Sequence, residues 1–395
     1  MTSQESPPLA DRVGTIEKTA IRTMYDLAEE KGDDLVRLEI GEPDFDTPEH
    51  IVDDALEAAR GGATHYTSNA GILPLREAIA EKSRREHDLD VDPDDVVATA
   101  GASEAILLTL LAVAEAGDDV VLPTPAWPQY RMQIRLAGAD PVEVPMDETG
   151  FDLDVERVVD AIGEETACVI LNSPSNPTGR VYDAEPVERI VDAAAAADAY
   201  VILDEVYASL DFTGDGRSLA ADLDTDNVVV VNGFSKQYAM TGWRLGWLSG
   251  PESVVESAKK LHPGTTTCPS SVSQHAGIAA LTGPQEPIAE MGEAFRERRD
   301  YVVERIDEIP AISAPTPEGG FYAFLDVSAL DGSCFDVARR LLSDYGVVSV
   351  PGEGFGAGGE GYLRLSYANS LERLEVGFDR IEQMVADELE TASHD

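Results

Sequence analysis

Residues 228–246 read VVVVNGFSKQYAMTGWRLG. Four consecutive valines bounded by turn formers have the signature of a strand buried on both faces of a parallel sheet. Lys236 follows after the turn Asn232-Gly233-Phe234-Ser235, and Arg244 comes soon after it. Open α/β sheets bind ligands in the crevice at the carboxyl ends of their strands. A lysine sheltered there loses hydration. Its pKa falls, and the amine becomes a nucleophile able to trap a carbonyl. It is also out of character for the chain, which uses 6 Lys against 23 Arg.

Working outward, short apolar runs at 96–99, 120–122, 168–171 and 200–203 alternate with helical spacing at 104–114 and 184–197. This βαβ rhythm predicts a mostly parallel central sheet flanked by helices on both faces. From residue 286 the pattern changes to a long helix (286–309), strands at 319–327, 347–350 and 362–367, and helices at 335–345 and 371–390. We read an arm over 1–15 and a large α/β domain over 48–285. A smaller α+β domain takes in 16–47, with a helix at 16–31 and a strand at 35–40, and 286–395. A glycine cluster at 352–356 lacks the strand-to-helix context of a nucleotide loop and reads as a loop of the smaller domain.

Composition excludes several classes. With 75 acidic residues against 29 basic ones, the net charge is −46. Nucleic-acid binding needs basic groups to neutralise phosphates, so it is not expected. A chain that is 43% hydrophobic can still bury a core, so the acidity points to a salt-adapted globular surface. No apolar run approaches the ~20 residues that span a bilayer, and the start of the chain lacks signal-peptide character. Cys168, Cys268 and Cys334 have no metal-like spacing, which suits a reducing cytoplasm.

The chemistry lies in a set of residues at strand ends: Ser103, Trp127, Asn176, Asp204 with Tyr207, and Lys236 with Arg244. In a parallel sheet these ends share one edge. Singly, most have an ordinary reading. Ser103 can cap its helix, Trp127 can pack beside prolines, and Asn176 can serve a turn. Asp204 is harder to dismiss, because a buried carboxylate needs a cation or several donors. Together they describe one ligand. It has a phosphate (for Ser103 at a helix N-terminus and Arg244), a ring to stack on Trp127, and a ring nitrogen for Asp204. A phenolic oxygen would face Asn176 and Tyr207, and a carbonyl would meet Lys236. Those features are the features of pyridoxal phosphate.

The segment SKQYAMTGWRLG, with NPTG and LDEVY preceding it in order, resembles the class I/II aminotransferases of pyridoxal-phosphate fold type I. GEPDFDTP, HYTSNAG, GASEAI and YLRLSYA add to the match, which runs from about residue 16 to the last helix. The subgroup it is most similar to holds aspartate, aromatic and broad-specificity enzymes. The resemblance implies that Lys236 carries the cofactor and moves the substrate proton. Asp204 would keep the pyridine nitrogen protonated, while Tyr207 and Asn176 would contact the ring oxygen. Trp127 would stack on the ring, and Ala102, Ser103, Ser235 and Arg244 would serve the phosphate. Tyr66 would reach the cofactor of a second subunit, which implies a homodimer. Arg364 would take the substrate α-carboxylate, with Gly41, Asn176 and Trp127 close by. One departure stands out: many relatives place a phosphate-binding serine three residues before the lysine, where this chain has Gly233.

The implied activity is ping-pong transfer of an α-amino group from an L-amino acid to a 2-oxo acid, by default 2-oxoglutarate, through the pyridoxamine form of the cofactor. A β-lyase on the same fold is the alternative. A cofactor-binding regulator without turnover is a third reading, opposed by the complete catalytic set. Arg22, Arg131, Arg135 and His262 are the candidates for a cation that would recognise a distal carboxylate.

Overall fold

The valine run forms the strand Val228–Gly233, buried along its whole length. Its alternate side chains go to different cores. Val229 and Val231 join one apolar cluster, Val228 and Val230 another on the opposite face. A computed structural model describes residues 9–392 except 33, 148, 215, 222, 224 and 225. Residues 1–8 of the expected arm therefore lie outside the described residues, and Asp11–Gly14 form a short helix.

The central sheet has seven strands. In spatial order they are Val96–Thr99, Gly246–Ser249, Val228–Gly233, Tyr200–Asp204, Thr166–Asn172, Asp119–Thr124 and Asp140–Pro145. Six run in one direction, and Gly246–Ser249 is antiparallel to both of its neighbours. Two of the seven have no counterpart in the sequence reading. Gly246–Ser249 is only four residues long and has no run of β-branched residues. Asp140–Pro145 carries prolines at both its second and last positions, which mark it as an edge strand.

Register decides where the site forms. Asn172 pairs with Asp204, and Asp204 with Val231, so three neighbouring strands finish at one level. The loops leaving that level carry Asn176, Tyr207 and Lys236. The helix Ala102–Val113 starts at the same edge, against Gly233 and Gly246.

A further core joins Met24, Ala28 and Val36 to Phe295, Phe321, Val337, Leu365 and Phe378, with Tyr207 at its border. Here Val36–Arg37 pairs parallel with Val347–Val348, and Tyr362–Ser366 lies between Val350–Pro351 and Tyr322–Asp326. The single strand expected at 347–350 is thus two, in different sheets. The expected helix at 16–31 begins at Ala20, where the Thr19 hydroxyl accepts from the Arg22 amide as an N-cap. No helix among the described residues is long and apolar enough to cross a membrane.

Candidate active site

At the carboxyl edge of the sheet lies a cavity of about 390 Å³. Gly41, Ala102, Ser103, Trp127, Asn176, Asp204, Tyr207, Ser235, Lys236, Arg244 and Arg364 all line it. Tyr66 does not; it is 88% exposed. Nor do Arg22, Arg131, Arg135 or His262. Arg22 pairs with Asp26, Arg131 with Glu143, and His262 with Glu104, while Arg135 donates to the Thr15 carbonyl.

Lys236 Nζ donates to the Gly41 carbonyl at 2.6 Å and has the rings of Tyr207 and Phe321 within 6 Å. Burial pulls its pKa down to about 8, against the opposing pull of the Glu42 charge. Gly41 has to be glycine, because a Cβ there would fall 2.3 Å from the Tyr322 hydroxyl. The backbone can then come within reach of the amine.

Asp204 is 3% exposed. Its carboxylate accepts from the Tyr130 hydroxyl at 2.7 Å and the Val206 amide at 3.2 Å. Burial raises its pKa to about 6, and the Tyr130 bond works against that rise. Asn172 reinforces the strand end. Its amide donates to the Asp204 carbonyl at 2.9 Å, and its oxygen accepts the Asn176 amide at 2.8 Å. The hydroxyls of Tyr207 and Tyr322 lie 3.0 Å apart.

Arg244 sits against the start of helix Ala102–Val113, in the left-handed region at φ 52°. Its Nη1 donates to the Thr241 carbonyl at 3.0 Å. A Cβ on Gly101 would approach its Nη2 to 2.7 Å, and one on Gly246 would meet the Ala102 amide nitrogen at 2.5 Å. The two glycines keep clear a cradle of first-turn amides and a guanidinium, suited to an anion. Gly233 and Ser235 both line the cavity. A Cβ at Gly233 would stand at ordinary contact distance, 3.4 Å from the Leu245 carbonyl.

Arg364 is 1% exposed, and burial lowers its pKa. Nη1 donates to Asn176 Oδ1 at 3.3 Å and Nη2 to the Glu39 carbonyl, while Nε has no hydrogen-bond partner among the described residues. The ring of Tyr322 lies 4.6 Å from the guanidinium and that of Phe355 at 5.3 Å. Among the described residues no carboxylate forms an ion pair with it. The buried Glu39 carboxylate exerts a favourable field on it without bonding to it, so the fork stays open to a ligand carboxylate.

Sequence reasoning missed Tyr130, Asn172, Tyr322, Glu42, Gln129, Thr241 and Ile21, all of which line the cavity. Asn172 and Tyr130 carried a signal. The first ends a strand, and the second follows Trp127 on the helix Gln129–Ala137. Tyr322 and Ile21 arrive from distant segments and carried none.

The family Aminotransferase class I and II matches residues 33–381. The chain belongs to that family. It is 36% identical to an aspartate aminotransferase of Geobacillus stearothermophilus, over 95% of this chain and 98% of the relative. It is 38% identical to aromatic-amino-acid aminotransferase 2 of Thermococcus litoralis, with the same coverage. The solved aspartate aminotransferase of Thermus thermophilus with maleate superposes with a TM-score of 0.91 at 38% identity, over 96% of this chain and all of that one. The fold is that of the pyridoxal-phosphate enzymes of fold type I, and the protein is a transaminase dependent on that cofactor. It transfers an amino group between an amino acid and a 2-oxo acid. The residues at the cavity fit the cofactor. It finds there an amine, a buried carboxylate, a glycine-cleared anion cradle and an indole.

Proposed function

We propose that Lys236, Asp204 and Tyr207 act in catalysis, that Ala102, Ser103, Ser235, Arg244, Trp127 and Asn176 hold the cofactor, and that Arg364 anchors the substrate α-carboxylate beside Gly41, Asn176 and Trp127. The carrying observation is the convergence of a buried amine, a buried carboxylate and two arginines on one cavity. When bound, the cofactor supplies a ring that accepts negative charge from the carbon being deprotonated. The protein supplies the rest. Lys236 Nζ would take the proton from the substrate Cα and deliver it to the cofactor carbon on the other side of the amino nitrogen, favoured by a pKa near working pH. Asp204 holds a positive ring nitrogen, with Tyr130 keeping its carboxylate ionised. Arg364 orients the substrate so that its Cα–H meets the amine.

The names of several relatives support aspartate as donor; with 2-oxoglutarate as the default acceptor, the products are oxaloacetate and glutamate. The test adds glutamate, aspartate, alanine, phenylalanine or cysteine singly to the holoenzyme, with cofactor absorbance as the readout. Aspartate should convert the cofactor fastest, and an oxo acid should reverse the conversion. Release of ammonia and pyruvate from cysteine, with no need for an oxo acid, would instead identify a lyase. Lys236→Ala should lose covalent cofactor, and its turnover should fall by about a hundred- to ten-thousandfold.

We further propose a homodimer sharing its sites through Tyr66. Its exposed aromatic ring on the 65–71 loop supports this. Light scattering should report twice the chain mass; a monomer with full activity would refute it. The split into 48–285 and 16–47 with 286–395 is supported by two apolar cores that lie wholly within the larger part and by one drawn mainly from the smaller part, which Tyr207, Leu210 and Ala239 join. Three free cysteines suit a reducing cytoplasm.

A further inference from the structure

The glycine cluster 352–356 has a place in the site that its sequence did not suggest. Phe355, within the turn Gly352–Phe355, is wholly buried. Its ring stands 5.3 Å from the Arg364 guanidinium. It packs with Phe151, Phe324 and Val350, and Ile21 of the cavity wall rests on that cluster. This loop therefore backs both the guanidinium fork and the far wall of the cavity.

The loop is held from the side of the large sheet. The Ala126 amide, next to Trp127, donates to the Phe355 carbonyl at 2.8 Å. Arg131, on the helix Gln129–Ala137, donates through Nη2 to the Gly354 carbonyl. Its Nη1 donates to Glu143 Oε1 at 3.2 Å. Glu143, on the edge strand Asp140–Pro145, accepts the Ala357 amide on its other oxygen at 2.8 Å. Gly356 has φ +101°, and a Cβ there would meet Glu143 Oε2 at 2.5 Å and Arg131 Nη1 at 3.1 Å. The ion pair is half-buried, 23% and 26% exposed. As a simple surface pair it would contribute little stability. Here each partner also uses a further donor or acceptor on the loop backbone, so the pair works as a two-pronged clamp.

We propose that Arg131 and Glu143 are positioning residues for substrate recognition. By clamping the loop they seat Phe355 against Arg364 and hold Ile21 at the cavity wall. The inference rests on the reading of Arg364 as the α-carboxylate anchor. It deepens that reading by assigning carboxylate affinity to a pair that does not line the cavity. An ångström of misplacement in a positioning group can reduce productive binding strongly.

The experiment measures steady-state constants and the cofactor-dissociation constant for Arg131→Gln, Glu143→Gln and Gly356→Ala in the holoenzyme. KM for the amino acid and for the 2-oxo acid should rise together, by about tenfold, with kcat and cofactor affinity nearly unchanged. Arg131→Lys keeps the charge but loses the fork, and should rescue KM only in part. The single-turnover rate with a primary amine lacking the α-carboxylate should be the same as in the wild type, since Arg364 has nothing to grip. Unchanged KM values would overturn the proposal. So would equal losses for the amine and the amino acid, or a loss confined to cofactor binding. Arg364→Lys separates the two readings. If it raises KM while the clamp variants do not, only the clamp is wrong; if it leaves KM alone, the anchor reading fails and the clamp with it.

Discussion

Asp204 and Tyr130 show how one hydroxyl adjusts the chemistry of the site. A carboxylate with this degree of burial is pushed up to about 6, so its ionised fraction is lost as the pH falls through that value. Tyr130 donates at 2.7 Å and favours the ionised form. Tyr130→Phe removes that help, and the pKa of Asp204 rises further. A hydrogen bond to a charged group contributes about 1.5–3 kcal/mol. One pKa unit corresponds to about 1.4 kcal/mol. The acid limb of the first half-reaction should therefore move up by about one to two units. Stopped-flow rates with amino acid alone across pH 5 to 9 would check this, and an unmoved limb would count against the role given to Tyr130. The sequence announced Asp204, because a carboxylate closing an apolar strand is costly unless it has a partner. It did not announce that partner. Tyr130 reads as an ordinary aromatic on a helix, and only the fold turns it toward a residue 74 positions away.

Helix Ala102–Val113 and strand Gly246–Ser249 build the anion cradle by close approach. Gly246 faces the Ala102 nitrogen, the Gly101 carbonyl carbon and the Asn232 oxygen, all within 3.0 Å of where a Cβ would stand. Overpacking at such a contact costs about 1–3 kcal/mol. Gly246→Ala should push the helix start away from Arg244, lowering cofactor affinity by about tenfold or more and reducing the melting temperature. Titration of the apoprotein with pyridoxal phosphate and thermal unfolding would measure both, and an unchanged affinity would mean the cradle tolerates the shift. The strand itself was illegible in sequence. Its four residues show neither strict alternation nor a β-branched run. It exists because neighbours on both sides offer it antiparallel hydrogen bonds. Val228–Gly233 was the opposite case, since an unbroken valine run is stable only between two apolar layers.

Across the molecule, a net charge of −46 sets a condition for folding. Charges of one sign repel over roughly 30 Å at 0.01 M salt but only about 3 Å at 1 M. We predict that the protein is salt-dependent, with a melting temperature that falls steadily from molar potassium chloride to dilute buffer. Equal melting temperatures in the two would contradict a salt-adapted surface.

The five strands with apolar runs, the cofactor chemistry and many of the residues that line the cavity were readable from the sequence. They rest on local signals: periodicity, turn formers, and polar groups at the ends of apolar runs. Arg364 was recognisable by its motif. Its aromatic neighbours Tyr322 and Phe355, the Ile21 wall and the Arg131–Glu143 clamp were not. The Ile21 wall and the clamp's bonds to the loop join segments hundreds of residues apart, Tyr322 comes to Arg364 from another strand, and all these side chains are of types that ordinarily pack or face water. Only the tertiary structure brings them together, because its packing and strand register, which no local pattern encodes, decide which distant side chains share a space.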